Sequence, residues 1–205
     1  RDAVLTFAAV EAAVARLAGW LAAMDLPAGA RVATWLPKTQ AACLMPLAAA
    51  RAGLVHVPVN PVLRRAQVAH ILADSGAELL VTQEARAATL APGDVPAGCA
   101  VVTEVGEADA LPRSAADPQA LVALLYTSGS TGRPKGVMLS HANLWLGAIG
   151  VAHYLDIAPD DRVLAVLPLG FDYGQNQLLS TWAAGACVAP LDYLTPRDVV
   201  KARAR

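Results

Sequence analysis

Cysteine is scarce in this chain, three residues in 205. Cys43, Cys99 and Cys187 are too far apart to form a C-x-x-C pair, and no histidine stands near any of them. Neither a zinc site nor a disulfide framework is expected, and the three read as buried thiols in a reducing cytoplasm. An excess of one charge is also missing. Sixteen Lys and Arg face seventeen Asp and Glu, for a formal net charge of -1, so the basic stripe that phosphate backbones require is absent and nucleic acid is not an expected partner. Long hydrophobic runs are lacking although 56% of the residues are apolar. The longest uncharged apolar run, Ala41 to Ala50, contains Pro46 and is about half the ~20 residues a bilayer span needs. No membrane span and no signal peptide are read. Finally, Arg1 is not an initiator Met, and the last residues, Lys201 to Arg205, carry no Gly or Pro stop signal. The chain is therefore expected to be part of a longer protein.

What is present is an alternation of strands and helices. Thr6 can cap a helix in which Phe7, Val10, Val14, Leu17, Leu21 and Met24 recur at steps of three and four, closed by Pro27 and Gly29. Val32 to Leu36 reads as a buried strand, followed by a helix to Arg51 that Gly53 ends and Pro46 is expected to kink. His56 to Val59, Arg64 to Asp74 and Leu79 to Thr82 repeat the strand, helix, strand order. Pro92 to Pro118 is rich in Pro, Gly, Asp, Glu and Ala and suits a surface excursion. Leu121 to Tyr126 reads as a strand, Val137 to Leu139 as another, and Ser140 or Asn143 can cap a helix to Tyr154. Val163 to Leu167, a helix near Gln177 to Ala184, and Cys187 to Leu191 complete the series. The fold class is α/β, a mostly parallel sheet covered by helices.

Between two of these strands lies LLYTSGSTGRPKGVMLSH, which has the chemistry of a phosphate cradle. Gly129 and Gly132 permit positive φ, so successive backbone N–H groups can converge on one anion. Thr127, Ser128, Ser130 and Thr131 add hydroxyl donors, and Lys135 adds a charge-assisted contact. The loop is not a Walker A sequence. Counted from Gly129, that pattern needs Gly where Pro134 stands and Ser or Thr where Gly136 stands.

YTSGSTGRPKG resembles the signature of the ANL superfamily of adenylate-forming enzymes, which comprises acyl-CoA synthetases, peptide-synthetase adenylation domains and luciferases. LTFAAVEAAVARLAGWL is similar to that family's opening helix, RAGLVHVPVNPVLRRAQVAHILADSGAELLVT to its second shared stretch, and LPLGFDYG to the region lining its carboxylate pocket. FDYGQNQLL also resembles AMP-dependent ligases associated with exosortase systems. The resemblance covers nearly the whole chain. It implies that residues 1–205 belong to a truncated N-terminal domain of an AMP-dependent synthetase, with the phosphate-binding loop at 127–136 and the C-terminal domain absent. It further implies ATP and Mg²⁺ as cofactors and a small carboxylic acid as substrate. Attack of the carboxylate on the α-phosphorus would give an acyl-adenylate and pyrophosphate, and CoA or a carrier-protein thiol would then displace AMP. Thr127, Ser128, Gly129, Ser130, Thr131, Gly132, Pro134, Lys135 and Gly136 would hold the outer phosphates, with Lys135 as the catalytic stabiliser. Phe171, Asp172, Tyr173 and Gly174 would line the acid pocket.

Several points stay open at this stage. Amino-acid-activating relatives carry Phe-Asp where Phe171 and Asp172 stand, the aspartate meeting the substrate's amino group, yet an Asp at a strand-to-helix turn serves equally as an N-cap. His56, His70, His141 and His153 have no Cys or carboxylate partner at catalytic spacing and read as structural. Trp20, Trp35, Trp145 and Trp182 read as core. No protein-held metal is expected. The family's adenine, ribose and C-terminal lysine elements are not in the chain, so three readings stand. They are an acid-thiol ligase or aminoacyl adenylating module, a catalytically inactive nucleotide-phosphate-binding module, and a non-catalytic interaction piece. A mean hydropathy of +0.43 with uncovered strands also predicts a homo-oligomer through apolar surface between Arg162 and Arg205.

Overall fold

A computed structural model describes residues 4–106, 108–127 and 133–203. The first helix, α1 (Phe7–Ala22), starts where the Ala9 amide donates to the Thr6 hydroxyl at 3.2 Å. Strand β1 (Arg31–Trp35) follows, and Thr39 caps α2 (Gln40–Arg51), which continues past Pro46. The alternation then runs through β2 (Val55–Pro58), α3 (Arg65–Ser75), β3 (Ala77–Thr82), the short α4 (Glu84–Ala87) and β4 (Ala100–Val102). Gly76 ends α3 at φ 61°, a left-handed cap that glycine adopts without a Cβ penalty. Next come β5 (Leu121–Thr127), β6 (Lys135–Ser140) and α5 (His141–Tyr154), then β7 (Arg162–Ala165), α6 (Asp172–Ala183), β8 (Cys187–Pro190) and α7 (Pro196–Arg203).

Six strands form one sheet in the order β4-β3-β1-β2-β5-β6. All its pairs are parallel except β5 with β6. Alternate residues of a strand serve opposite faces, so a sheet covered on both faces needs apolar residues at every position. Val32, Leu79 and Val81 join α1 and α2 in one core, whereas Ala33, Trp35, Val57 and Leu80 pack with Val68, Ile71 and Leu72 of α3 in the other. That two-sided covering explains why VATW and ELLVT read as unbroken apolar runs. The remaining strands, β7 and β8, pair in parallel as a second, two-stranded sheet with α6 as their crossover.

Several boundaries and burials differ from the sequence reading. The excursion from Pro92 to Pro118 contributes β4, an edge strand on β3, and Val105, Ala108 and Leu111 then pack on the α1–α2 core. Strand β6 begins at Lys135 instead of Val137, and α6 begins at Asp172, well before Gln177. Cys43 is buried, but Cys99 is half-buried and Cys187 exposed. Trp20 and Trp35 are core, Trp182 packs at its margin, and Trp145 is 61% exposed. Helix α5 is apolar almost all round, yet Ala148 alone of its residues is buried, so its periodicity could not show which side faces inward. No helix among the described residues is long and apolar enough to cross a membrane.

Candidate functional site

The parallel strands β1, β2 and β5 end on the same side of the sheet, the side where open α/β sheets bind ligands. On that side β5 runs into the phosphate-loop sequence. Val122, Ala123, Leu125 and Tyr126 are buried, which fixes the entering limb, and β6 returns antiparallel beside it. In that hairpin Thr127 pairs with Lys135 and Tyr126 with Gly136. Directly opposed residues of an antiparallel pair carry their side chains on one face, so the Thr127 hydroxyl and the Lys135 ammonium share the mouth of the loop. Both are exposed. Ser128, Gly129, Ser130, Thr131 and Gly132 lie outside the described residues.

Helix α3 lies under both limbs of this hairpin. The Tyr126 hydroxyl donates to Asp74 Oδ2 at 2.7 Å. Burial, with the neighbouring carboxylate, pushes the phenol's pKa well above its ordinary value, so the hydroxyl stays a donor. A Cβ at Gly136 would come within 3.1 Å of the Tyr126 ring, so glycine lets β6 pass close over that ring. On the exit limb, His70 Nε2 lies 3.0 Å from the Pro134 carbonyl oxygen, which makes that ring nitrogen the N–H donor. The sequence reading set His70 aside as structural and gave Asp74 no role. Their four-residue spacing on a helix was the signal that both could face one neighbour.

The second candidate segment enters from β7. A Cβ at Gly170 would come within 2.8 Å of the Asn60 backbone nitrogen, so Gly170 lies against Asn60, two residues beyond the end of β2. Because His56 pairs with Ala123, the same count of four residues along both strands brings Asn60 level with Thr127. Gly170, the residue before the acid-pocket candidates, is thus placed on the chain that leaves β2, the strand beside β5. Phe171, Asp172 and Tyr173 are exposed and Gly174 is buried. A Cβ at Gly174 would fall onto the Pro168 carbonyl oxygen, which accounts for glycine there. Asp172 is the first residue of α6 and Phe171 is its N-cap, with no side-chain cap bond. The capping role for Asp172 is therefore replaced by a place in the first turn, where a carboxylate meets the positive end of the helix dipole.

A groove of about 270 Å³ opens between the two sheets, walled by Thr34, Leu36, Asn60, Val166, Pro168 and Tyr193 among others. Lys38 crosses this seam. Its Nζ donates to the carbonyls of Ala165 at 2.9 Å and Leu191 at 2.8 Å, and its backbone N–H donates to Asp192 Oδ2 at 2.7 Å. Burial lowers the Lys38 pKa, partly offset by the negative charge of Asp192; even a neutral amine keeps the two N–H groups those carbonyls need. A larger hollow of about 410 Å³ lies against α1 and α2. There Glu11 pairs with Arg51 at 2.9 Å and Arg113 at 3.2 Å, and none of the described loop residues is among its walls. Among the described residues no three His, Cys, Asp or Glu side chains gather where a metal ion could sit.

Known proteins resemble this arrangement along nearly its full length. Feruloyl-CoA synthase of an Amycolatopsis species is 41% identical over 169 residues, 80% of this chain and 34% of that protein. The L-proline--[L-prolyl-carrier protein] ligase of Streptomyces coelicolor is 32% identical over 219 residues, 95% of this chain and 41% of that protein. Among solved structures, ATP-bound MatB from Rhodopseudomonas palustris superposes with a TM-score of 0.86 at 27% identity, over 97% of this chain and 42% of MatB. The chain spans less than half the length of each of the three. The model of the AMP-binding enzyme family matches residues 1–204, and the chain belongs to that family.

Proposed function

We propose that the full-length protein containing this chain uses ATP to activate a small carboxylic acid. In this reading a carboxylate oxygen bonds to the α-phosphorus as the bond to pyrophosphate breaks, leaving an acyl-adenylate. A thiol, of CoA or of a carrier protein, then attacks the acyl carbon and releases AMP. The observation that carries the reading is the hairpin mouth. Thr127 and Lys135 stand side by side at the ligand-binding end of a buried parallel sheet, in a family of AMP-binding enzymes. Lys135 stabilises negative charge on the departing pyrophosphate, assisted by Thr127 and by the donors proposed for Ser128, Gly129, Ser130, Thr131, Gly132 and Gly136, with Pro134 shaping the loop. Magnesium, if bound with the nucleotide, would supply charge neutralisation at the phosphates, and no side chain of this chain is assigned to hold it. Phe171, Asp172, Tyr173 and Gly174 form the acid side of the site, next to Asn60. The reaction belongs in the cytoplasm, where ATP and thiols are available.

A second reading, activation of an amino acid, is favoured by the free position of Asp172. It is exposed in the first turn of α6 and is available to an ammonium group. Hydroxylamine trapping of the adenylate across a panel of fatty, aryl and amino acids separates the two. In that assay Lys135→Ala should cost roughly 2–4 kcal/mol of transition-state stabilisation while leaving the melting temperature unchanged. Full activity in the variant would remove Lys135 from the mechanism, and a variant that melts early would make it structural.

Self-association is also proposed. Exposed apolar residues run beyond the stretch from Arg162, to Met138 on β6 and Leu146 on α5, as well as Leu194 and Val200. Light scattering at low micromolar concentration should find a dimer or larger species, and a monomer would refute it.

A further inference from the structure

We infer that His70 and Asp74, two residues one turn apart on α3, position Lys135 by holding the residues on either side of it. The inference rests on the proposed role of Lys135. A lysine at the mouth of an exposed hairpin on an edge strand has a long flexible stem, and its usefulness depends on where its Cα is fixed. Its neighbours are fixed from below by separate contacts. On one side, the Pro134 carbonyl accepts from His70 Nε2 at 3.0 Å. Proline has no N–H, so that carbonyl is the one backbone hydrogen-bonding group it has. On the other side, Gly136 lies against the Tyr126 ring, with an added Cβ 3.1 Å from Cζ. Tyr126 is in turn locked by its 2.7 Å bond to Asp74. Tyr126 is also the last residue before Thr127, so the same lock sets the entering limb.

Helix α3 can serve as a fixed reference because its other face is core. Val68, Ile71 and Leu72 are buried in the cluster that includes Trp35 and Leu80. His70 and Asp74 touch neither phosphate nor acid in this account. They act through backbone position, and their loss should appear in nucleotide binding and not in the affinity for the acid.

The test uses the full-length protein and MgATP, titrated by calorimetry, with His70→Ala, His70→Gln, Tyr126→Phe, Lys135→Ala and the double variant His70→Ala/Lys135→Ala. A glutamine amide can reach where Nε2 stands and still donate. His70→Ala and Tyr126→Phe should each weaken ATP about fivefold to tenfold, the scale of one lost hydrogen bond, and His70→Gln should recover to within about twofold. In the Lys135→Ala background, His70→Ala should change ATP affinity by less than about twofold, because groups that act through one another are not additive. If Lys135→Ala binds ATP as wild type does, the ground-state contact that this inference requires is absent and the inference fails, whereas the reading of Lys135 fails only if adenylate trapping is also undiminished. If Lys135→Ala weakens binding but His70→Ala does not, or if the two losses multiply in the double variant, the inference alone is overturned. A His70→Gln protein as weak as His70→Ala would also overturn it, because the donor would then not matter.

Discussion

The two sheets of this chain are built to different degrees of closure. Every residue of β2 is buried, as are four of five in β1 and five of six in β3. In β8 three of four residues are exposed, and in β7 a single residue, Ala165, is buried. The first sheet has helices on both faces; the second has two strands, where isolated pairs are marginal, and leans on the first through Ala165, Leu169 and Leu178. The candidate site straddles this boundary. Its proposed phosphate side stands on the closed sheet and its proposed acid side on the open one. A rigid sheet can hold donors in fixed places, whereas a lightly covered unit can adjust to what it binds.

Acid should break the closed side most strongly. His56 is wholly buried, with Nε2 2.9 Å from the Thr34 hydroxyl and Nδ1 without a partner among the described residues. Burial lowers its pKa from 6.5 to about 3. Between those values the unfolded chain holds a proton that the folded chain does not. Stability is therefore full above pH 6.5 and falls as the pH drops toward 3, at a limit of about 1.4 kcal/mol per pH unit. Urea midpoints measured over that range should fall less steeply in His56→Gln than in wild type, and parallel profiles would refute the assignment.

On the open side, Gly174→Ala drives a Cβ into the Pro168 carbonyl and should cost about 1–3 kcal/mol by overpacking. A calorimetric melt reads this directly, and a neutral effect would mean that the β7–α6 turn yields freely.

Lys38→Met should lower stability by about 1–2 kcal/mol by leaving the Leu191 carbonyl without its donor. Its signature is local. Amide exchange should quicken in β7 and β8 while β1 and β3 keep their protection, and uniform loss would show that the two sheets unfold as one unit.

The smallest effect is expected where the surface is already open. Trp145→Ser on α5 should change stability by within about 0.5 kcal/mol yet reduce self-association seen by light scattering. A large drop in melting temperature would mean that Trp145 packs in solution.

Local sequence determined much of this protein. The apolar runs of β1, β3 and β5 and the Thr6 and Ser140 caps were all legible, because each is a spacing or composition signal confined to a few residues. Three features were decided only by tertiary structure. The Thr127–Lys135 pairing depends on β6 starting at Lys135, and a strand preceded by Pro134 and carrying Gly136 does not announce where it begins. His70 reaches Pro134 across 64 positions, and Lys38 reaches Ala165 across 127. Contacts of that range follow from which strands are neighbours in the sheet, an order set by packing both cores at once, and no periodicity along the chain encodes it.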